Sequence, residues 1–409
     1  MNRRKVIPYA LSLSIAAAVL AACGVPRQAQ DDMPPTGAPV AMPYSASGVP
    51  SRALTGAGSQ KITHIVFVVQ EQRSFDNLFC GYSGADAVKC SPRSKAISLE
   101  ANCTLSDTFQ DFERARKTGD FSHERTDCPG YTRPEYRTVP PGETKPYRAI
   151  AASYVLGDRM FSSTGNPTFE SHQYDIAAQS DGVDQPFGRT PPDGCVYRAK
   201  VRQFKGPPQP ACDTFKTLAT ELTAAGLTWA YYAAGASEPT WDAFGWIRGS
   251  SAGTSPPTRF LTDVANGQLS AVTWVTPELR DSDRSGSRSA TGPAWVASVV
   301  NAVGESRFWD STAIFVIWSG YGGWADHVRP PLLGREGLGF RVPLLVISPY
   351  TKPSHVSHVQ YETTSILRFA EDLYGLPQLT EADSRARSPA GDCFNFSQKP
   401  RPFVPIEAP

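Results

Sequence analysis

The apolar positions of the chain fall into short blocks separated by polar, Gly- and Pro-containing stretches. Residues 62–70 (ITHIVFVVQ) form a β-branched run without alternation, the pattern of a strand covered on both faces. Further strands are predicted over 227–233, 269–275, 312–318 (TAIFVIW) and 343–347. Helical patterns lie between and after them. They run over 214–225, over 293–303 with Pro293 at its start, and over 361–374, closed by Gly375 and Pro377. Strands alternating with helices predict an α/β fold of three layers, with a mostly parallel sheet and helices on both faces. We see no second linker or repeat, so residues 61–409 read as a single large domain. The Pro-rich tail over 387–409 reads as an irregular strap.

The N-terminal block has a different pattern. Arg3, Arg4 and Lys5 precede an apolar run over 6–20, which ends in Leu20-Ala21-Ala22-Cys23. A run this short behind a basic start reads as a cleaved export signal over 1–22. Its last four residues resemble a bacterial lipobox, which makes Cys23 the expected site of lipidation and gives the chain a lipid anchor in the membrane. Residues 23–60 are then the lipidated Cys and a flexible stalk rich in Pro, Gly and Ala. The expected location is the bacterial cell envelope, on the periplasmic or cell-surface side.

Composition sharpens this picture. The 409 residues carry 40 Lys+Arg against 39 Asp+Glu, a net charge of +1, so the basic excess of a nucleic-acid binder is missing. Hydrophobic residues at 40% against 19% charged exclude wholesale disorder. Beyond Cys23 there are seven cysteines, at 80, 90, 103, 128, 195, 212 and 393. In an oxidising compartment they suggest disulfides. Cys195–Cys212 would close a Pro-rich loop, and Cys80–Cys90 or Cys103–Cys128 would staple the insertion after the first strand. Seven is odd, so one thiol stays free or pairs between chains. No Cys-x-x-Cys is present, which argues against a thiolate zinc site.

Ligands of such sheets sit beyond the carboxyl ends of the strands, so the residues that follow each strand matter most. Glu71-Gln72-Arg73-Ser74-Phe75-Asp76 follows the first strand. Ser319-Gly320-Tyr321-Gly322-Gly323-Trp324-Ala325-Asp326-His327 follows TAIFVIW, and His355 and His358 come after the last predicted strand. Between the first two lies Asn166-Pro167-Thr168-Phe169-Glu170-Ser171-His172, where Pro-Thr opens a helical pattern. Each residue also has a plainer reading. Thr168 could be a helix cap, Glu71 a strand-end ion pair, Asp326-His327 a turn support, and His64 a core histidine. Arg284 and Arg341 could grip a phosphate, although Arg341 at a strand start reads better as an ion-pair residue.

Taken together, EQRSFD at 71–76, GGWADHVRPP at 322–331, GLGFRVPLLVISPY at 337–350 and VSHVQYETTSILRFAEDLYGLP at 356–377 resemble a known family. It is the bacterial phosphoesterase family that includes phospholipases C and acid phosphatases, with an alkaline-phosphatase-like fold. The resemblance implies a hydrolase of phosphoric esters whose substrate is a phosphate ester or phospholipid. It implies Thr168 as nucleophile, with Asp326 and His327 in catalytic roles and Asn166, His172 and His358 around the substrate. It also implies a divalent metal ion as cofactor, with Glu71 and Gln72 at the first ligand positions.

The chain departs from the family pattern at the metal. Gln72 stands where the family has Asn, and Ser319-Gly320 stands where it has an acidic pair. Asp283-Arg284 replaces an Asp-His, and in a looser alignment Asp107 replaces a His. Ser offers a neutral hydroxyl and Gly only backbone, so two formal charges are missing from the expected cage. Whether the chain still turns over its substrate is left open at this point. The alternative is an impaired member that binds a phosphate-ester ligand or an envelope partner.

Overall fold

The computed structural model describes residues 61–122, 126–165, 168–180, 196–197, 210–211, 215–247, 254–333 and 337–408. The expected signal, Cys23 and the stalk lie outside them, as do Asn166, Cys195 and Cys212. The strands are β1 (His64–Glu71), β2 (Val155–Phe161), β3 (Val196–Tyr197), β4 (Pro210–Ala211), β5 (Trp229–Tyr232), β6 (Val272–Val275), β7 (Thr312–Ser319), β8 (Arg341–Ile347), β9 (His355–Ser357) and β10 (Tyr361–Glu362). The helices are α1 (Phe75–Phe79), α2 (Phe109–Thr118), α3 (Lys145–Ser153), α4 (Thr168–Ala177), α5 (Leu218–Ala224), α6 (Pro257–Ala265), α7 (Gly292–Gly304), α8 (Thr364–Tyr374), α9 (Glu381–Arg385) and α10 (Ala390–Cys393).

Eight strands make one sheet in the order β10-β2-β8-β7-β1-β6-β5, with β9 alongside β2. The sheet is mostly parallel, as expected, but β8 runs antiparallel to both β7 and β2. β1 lies at its centre with Ile65 to Val69 fully buried, which is why its sequence shows no alternation. Side chains three apart on a strand face opposite ways. Phe315 of β7 packs edge-on against Phe369 of α8 at 4.9 Å, whereas Trp318 packs against Tyr147 of α3 at 5.0 Å. Helices therefore cover both faces, giving the three layers expected.

Several elements were not foreseen, among them α2, α3 and β2, and the expected helix over 361–374 begins with the short strand β10. α2 is capped by Thr108 and closed by Gly119 in the left-handed region, and α3 follows a Pro-rich turn. β2 reads VLGDRMF, which lacks a β-branched run. Its Gly157 lets the backbone approach Leu344 of β8, where a Cβ would come within 3.1 Å, and the register shifts between Gly157 and Met160. Two disulfides, Cys80–Cys90 and Cys103–Cys128, staple the insertion between β1 and β2, and Cys393 is a buried free thiol. The tail straps the surface. Trp309 Nε1 donates to the Arg401 carbonyl, and Ile406 N donates to Asn301 Oδ1.

Candidate active site

β1 and β7 are parallel neighbours whose last residues, Glu71 and Ser319, are register partners at the carboxyl edge. The chain then turns sharply on each strand. Gln72 adopts φ +48° and Gly320 φ +82°. Gly322 passes so close to the first turn that a Cβ there would meet the Gln72 carbonyl oxygen at 2.3 Å. A side chain at Gly320 would find Ser171 Oγ of α4 nearest, at 3.6 Å. These approaches bring the two strand ends and the first turns of α4 together.

Thr168 is the first residue of α4 and is partly exposed. Its hydroxyl accepts a hydrogen bond from Gln72 Nε2, and the same amide donates to Asp107 Oδ2 at 2.6 Å. Because one nitrogen contacts both oxygens, the Asp107 carboxylate and the Thr168 hydroxyl lie within about 5 Å of each other. One turn along α4, His172 Nε2 lies 2.9 Å from Glu71 Oε1 and Nδ1 lies 3.5 Å from Asp175 Oδ2. All three side chains are buried. Burial pushes the Glu71 carboxyl above its ordinary pKa and lifts Asp175 to about 7. Burial works to lower the His172 pKa, but the Glu71 charge, with Asp175 and Asp242 beside it, outweighs this and raises it.

The segment carrying Asp283 and Arg284 is tied to the same turn. Asp283 N donates to Gln70 Oε1 at 2.9 Å, and its carbonyl accepts from Arg73 Nε at 2.6 Å. Its carboxylate is buried and accepts from Tyr147 OH and Trp318 Nε1, each at 2.8 Å. Asp283 thus clamps the residues flanking Glu71-Gln72, and Arg284 emerges beside them over the ring of Trp241, 5.9 Å from its centroid.

Asp326 and His327 belong to a second network, built around the fully buried Arg341. The Arg341 Nε donates to Asp326 Oδ1 at 3.0 Å and its Nη2 to Asp76 Oδ1 at 2.9 Å. His327 sits between Asp76 Oδ2 (2.7 Å) and Asp86 Oδ1 (2.9 Å). Burial opposes its charge, but the Asp76 hydrogen bond and charge prevail and raise its pKa to about 9. His358 is exposed, with Nδ1 2.9 Å from Asp158 Oδ2. His355 pairs with Asp392 at 3.0 Å, and His64 contacts Ser311 Oγ and Phe308 at the opposite end of β1. The structure therefore gathers Glu71, Gln72, Thr168, His172, Ser319 and Gly320 at one place, and Asp326, His327 and His358 in or beside the Arg341 network.

Sequence reading missed Asp76, Asp86 and Asp158 as partners of that network, and Asp175 as a partner of His172. Asp175 had a signal, since it lies three residues after His172 on one helix face. Asp158 had none.

Two places could be asked to hold a metal. Ligand atoms of Asp76, Asp326 and His327 all lie within 4.8 Å of one another, a potential but incomplete cluster. Its two carboxylates already meet the Arg341 guanidinium, which supplies the positive charge an ion would bring. At the strand ends, Glu71 has His172 already on one of its oxygens, and the nearby Asp107 carboxylate accepts from the Gln72 amide. Glu71 Oε2, Ser171 Oγ and Ser319 Oγ are buried there without a hydrogen-bond partner. With these two carboxylates already engaged and the remaining donors neutral hydroxyls, the set does not fit a divalent cation, which needs several anionic oxygens.

A sequence profile described as the Phosphoesterase family matches residues 138–377. Phospholipase C B of Mycobacterium tuberculosis is 30% identical over 182 residues, covering 37% of this chain and 35% of that protein. The non-hemolytic phospholipase C of Burkholderia pseudomallei is 29% identical over 168 residues, covering 33% of this chain and 24% of that one. The match thus spans about a third or less of these relatives' own length. Among solved structures, a protein in the alkaline phosphatase superfamily from Vibrio parahaemolyticus overlays with a TM-score of 0.41 at 12% identity, covering 80% of this chain and 69% of that chain.

Proposed function

The chain belongs to the Phosphoesterase family, and from that premise we propose that it hydrolyses phosphoric esters, phospholipase C-like or acid phosphatase-like, with Thr168 as nucleophile. The observation that carries this reading is the Gln72 amide on the Thr168 hydroxyl at the first residue of α4, beside the carboxyl ends of β1 and β7. That is where ligands of such sheets bind, and the amide orients the Thr168 oxygen. In the reaction, Thr168 Oγ1 bonds to phosphorus as the ester P–O bond breaks, and the Thr168 proton ends on the departing alcohol. Water then cleaves the phosphothreonine, returning one proton to Thr168 and leaving its hydroxyl on the phosphate. No step is routed through a divalent ion, since the donor set does not fit one.

The same reading places the chain outside the bacterial cytoplasm as a lipoprotein anchored at Cys23. The basic and apolar start ending at Leu20-Ala21-Ala22-Cys23 supports this, and so do two disulfides, which persist in oxidising compartments. A second reading, ligand binding without turnover, is favoured by Ser319-Gly320 in place of acids. The two separate cleanly. The full-length protein in detergent is assayed on p-nitrophenyl phosphate and p-nitrophenyl phosphorylcholine, with Thr168→Ala as control. Turnover lost in Thr168→Ala supports the hydrolase. Absence of turnover in the wild type, with a phosphate ester still bound, supports the second reading.

A further inference from the structure

The donor set at the strand ends leaves a question of charge. A phosphoryl group at Thr168 brings negative charge beside the Asp107 and Glu71 carboxyls, which Gln72 and His172 already engage, and the donor set there does not suit a divalent ion. Some other cation has to meet it. Arg73 is fully buried and spent on the Asp283 carbonyl, Asn77 Oδ1 and the ring of Trp324. Arg341 is spent on Asp76 and Asp326. Arg284 is different. Its guanidinium is half-buried over Trp241 and makes no hydrogen bond or ion pair with the described residues. Burial raises the pKa of both the Glu71 and Glu238 carboxyls, and the Arg284 charge reaches both and partly offsets that rise.

Its placement is built in. The preceding residue, Asp283, is fixed through its backbone to Gln70 and Arg73, the two residues that bracket Glu71-Gln72. Its side chain is locked by Tyr147 and Trp318. The wall behind Arg284 is also fixed. Trp241 is fully buried, and Ala243, two residues on, accepts a hydrogen bond from Gln173 of α4 at 3.0 Å. A guanidinium held this way offers a planar fork of donors, which suits two oxygens of one phosphoryl group.

We infer that Arg284 grips the phosphoryl oxygens of an ester held at Thr168, doing in this chain, without a divalent ion, what a metal would do for their charge. The inference rests on the reading of Thr168 as nucleophile for the place of the ester, but its test does not depend on turnover.

The probe is inorganic phosphate, titrated calorimetrically into the full-length protein in detergent with EDTA present. The wild type is expected to bind, and Arg284→Met to bind about 10- to 100-fold more weakly, the value of charge-assisted hydrogen bonds. Arg284→Lys, which keeps the charge but not the fork, should fall between them. Thermal melts of each variant report folding. If Arg284→Met is unfolded, the Lys variant alone decides, through at least a several-fold loss. Thr168→Ala should keep phosphate binding while losing turnover. If Thr168→Ala turns over normally while Arg284→Met loses phosphate, the nucleophile falls and the clamp stands. Wild-type protein that ignores phosphate, variants that bind it as the wild type does, or binding that EDTA abolishes and added divalent ion restores would each overturn the inference.

Discussion

The Nε2 of His172 lies 2.9 Å from Oε1 of Glu71, and neither side chain reaches solvent. The pair joins α4 to the end of β1 across 101 positions of sequence. Removing one partner of a buried pair leaves the other stranded, which costs more than the pair contributes. His172→Leu is therefore expected to lower stability by about 3–5 kcal/mol in urea unfolding. Adding Glu71→Gln should recover a good part of that loss, since no carboxylate is then left alone. If the two losses simply add, the residues are not coupled as the geometry indicates.

Gly320 and Gly322, which follow β7, should respond differently to a methyl group. Both have positive φ, +82° at Gly320 and +62° at Gly322. At Gly320 the nearest atom to a new Cβ is 3.6 Å away, but at Gly322 the Cβ would press on the Gln72 carbonyl at 2.3 Å. Gly320→Ala is expected to cost about 1 kcal/mol, the backbone share alone. Gly322→Ala adds a backbone clash and should cost about 2–4 kcal/mol, with displacement of Gln72 from Thr168. Equal losses on chemical denaturation would contradict this difference.

Much of the fold was legible because β1 and β7 are buried on both faces and so read as unbroken apolar runs. α8 was legible through its stop, where Gly375 closes the helix at φ +67°. β2 was hidden for the opposite reason. It has Gly157 at a close approach, and its buried Asp158 is tied to Asp86 N and His358 rather than to an apolar face. At the site, motif reading reached Glu71, Thr168 and His172 because they lie in short segments next to strand or helix ends. It named Arg284 as able to grip a phosphate but could not show it as a free cation, since that depends on Asp283 being clamped by Gln70 and Arg73, by Tyr147 and by Trp318, from three separate parts of the chain.

Glu371 of α8 gives a pH prediction away from the cleft. It is buried, and burial, with the neighbouring Asp383 charge, raises its pKa from 4.5 to about 10. The folded protein then holds a proton that the unfolded chain releases above about pH 4.5. Stability from this group is intact below that pH and is lost progressively as the pH rises toward 10. Glu371→Gln removes the titration. It should be no more stable than the wild type near pH 4, and more stable by about 1–3 kcal/mol at pH 8. Melting curves at the two pH values check this, and a gain that shrinks as pH rises would refute it.

The charge missing from the strand ends can be put back. Ser319 is the register partner of Glu71, and Ser319 Oγ and Glu71 Oε2 are both buried and unpartnered, so Ser319→Asp would add a carboxylate at this edge. Gly320 has room for a side chain, and Asp tolerates its left-handed backbone better than most residues do. The double variant Ser319→Asp with Gly320→Asp should therefore gain about one equivalent of a divalent ion, such as Zn²⁺ or Mn²⁺, that survives gel filtration. Elemental analysis of the folded protein measures this, and the wild type treated identically should retain less than a tenth as much. His172 competes for Glu71, so adding His172→Asn to the double variant should tighten the ion further wherever the fold survives. A wild type that carries a full equivalent would show that oxygens other than these carboxylates suffice. A folded double variant that stays empty would show that the cage lacks more than charge.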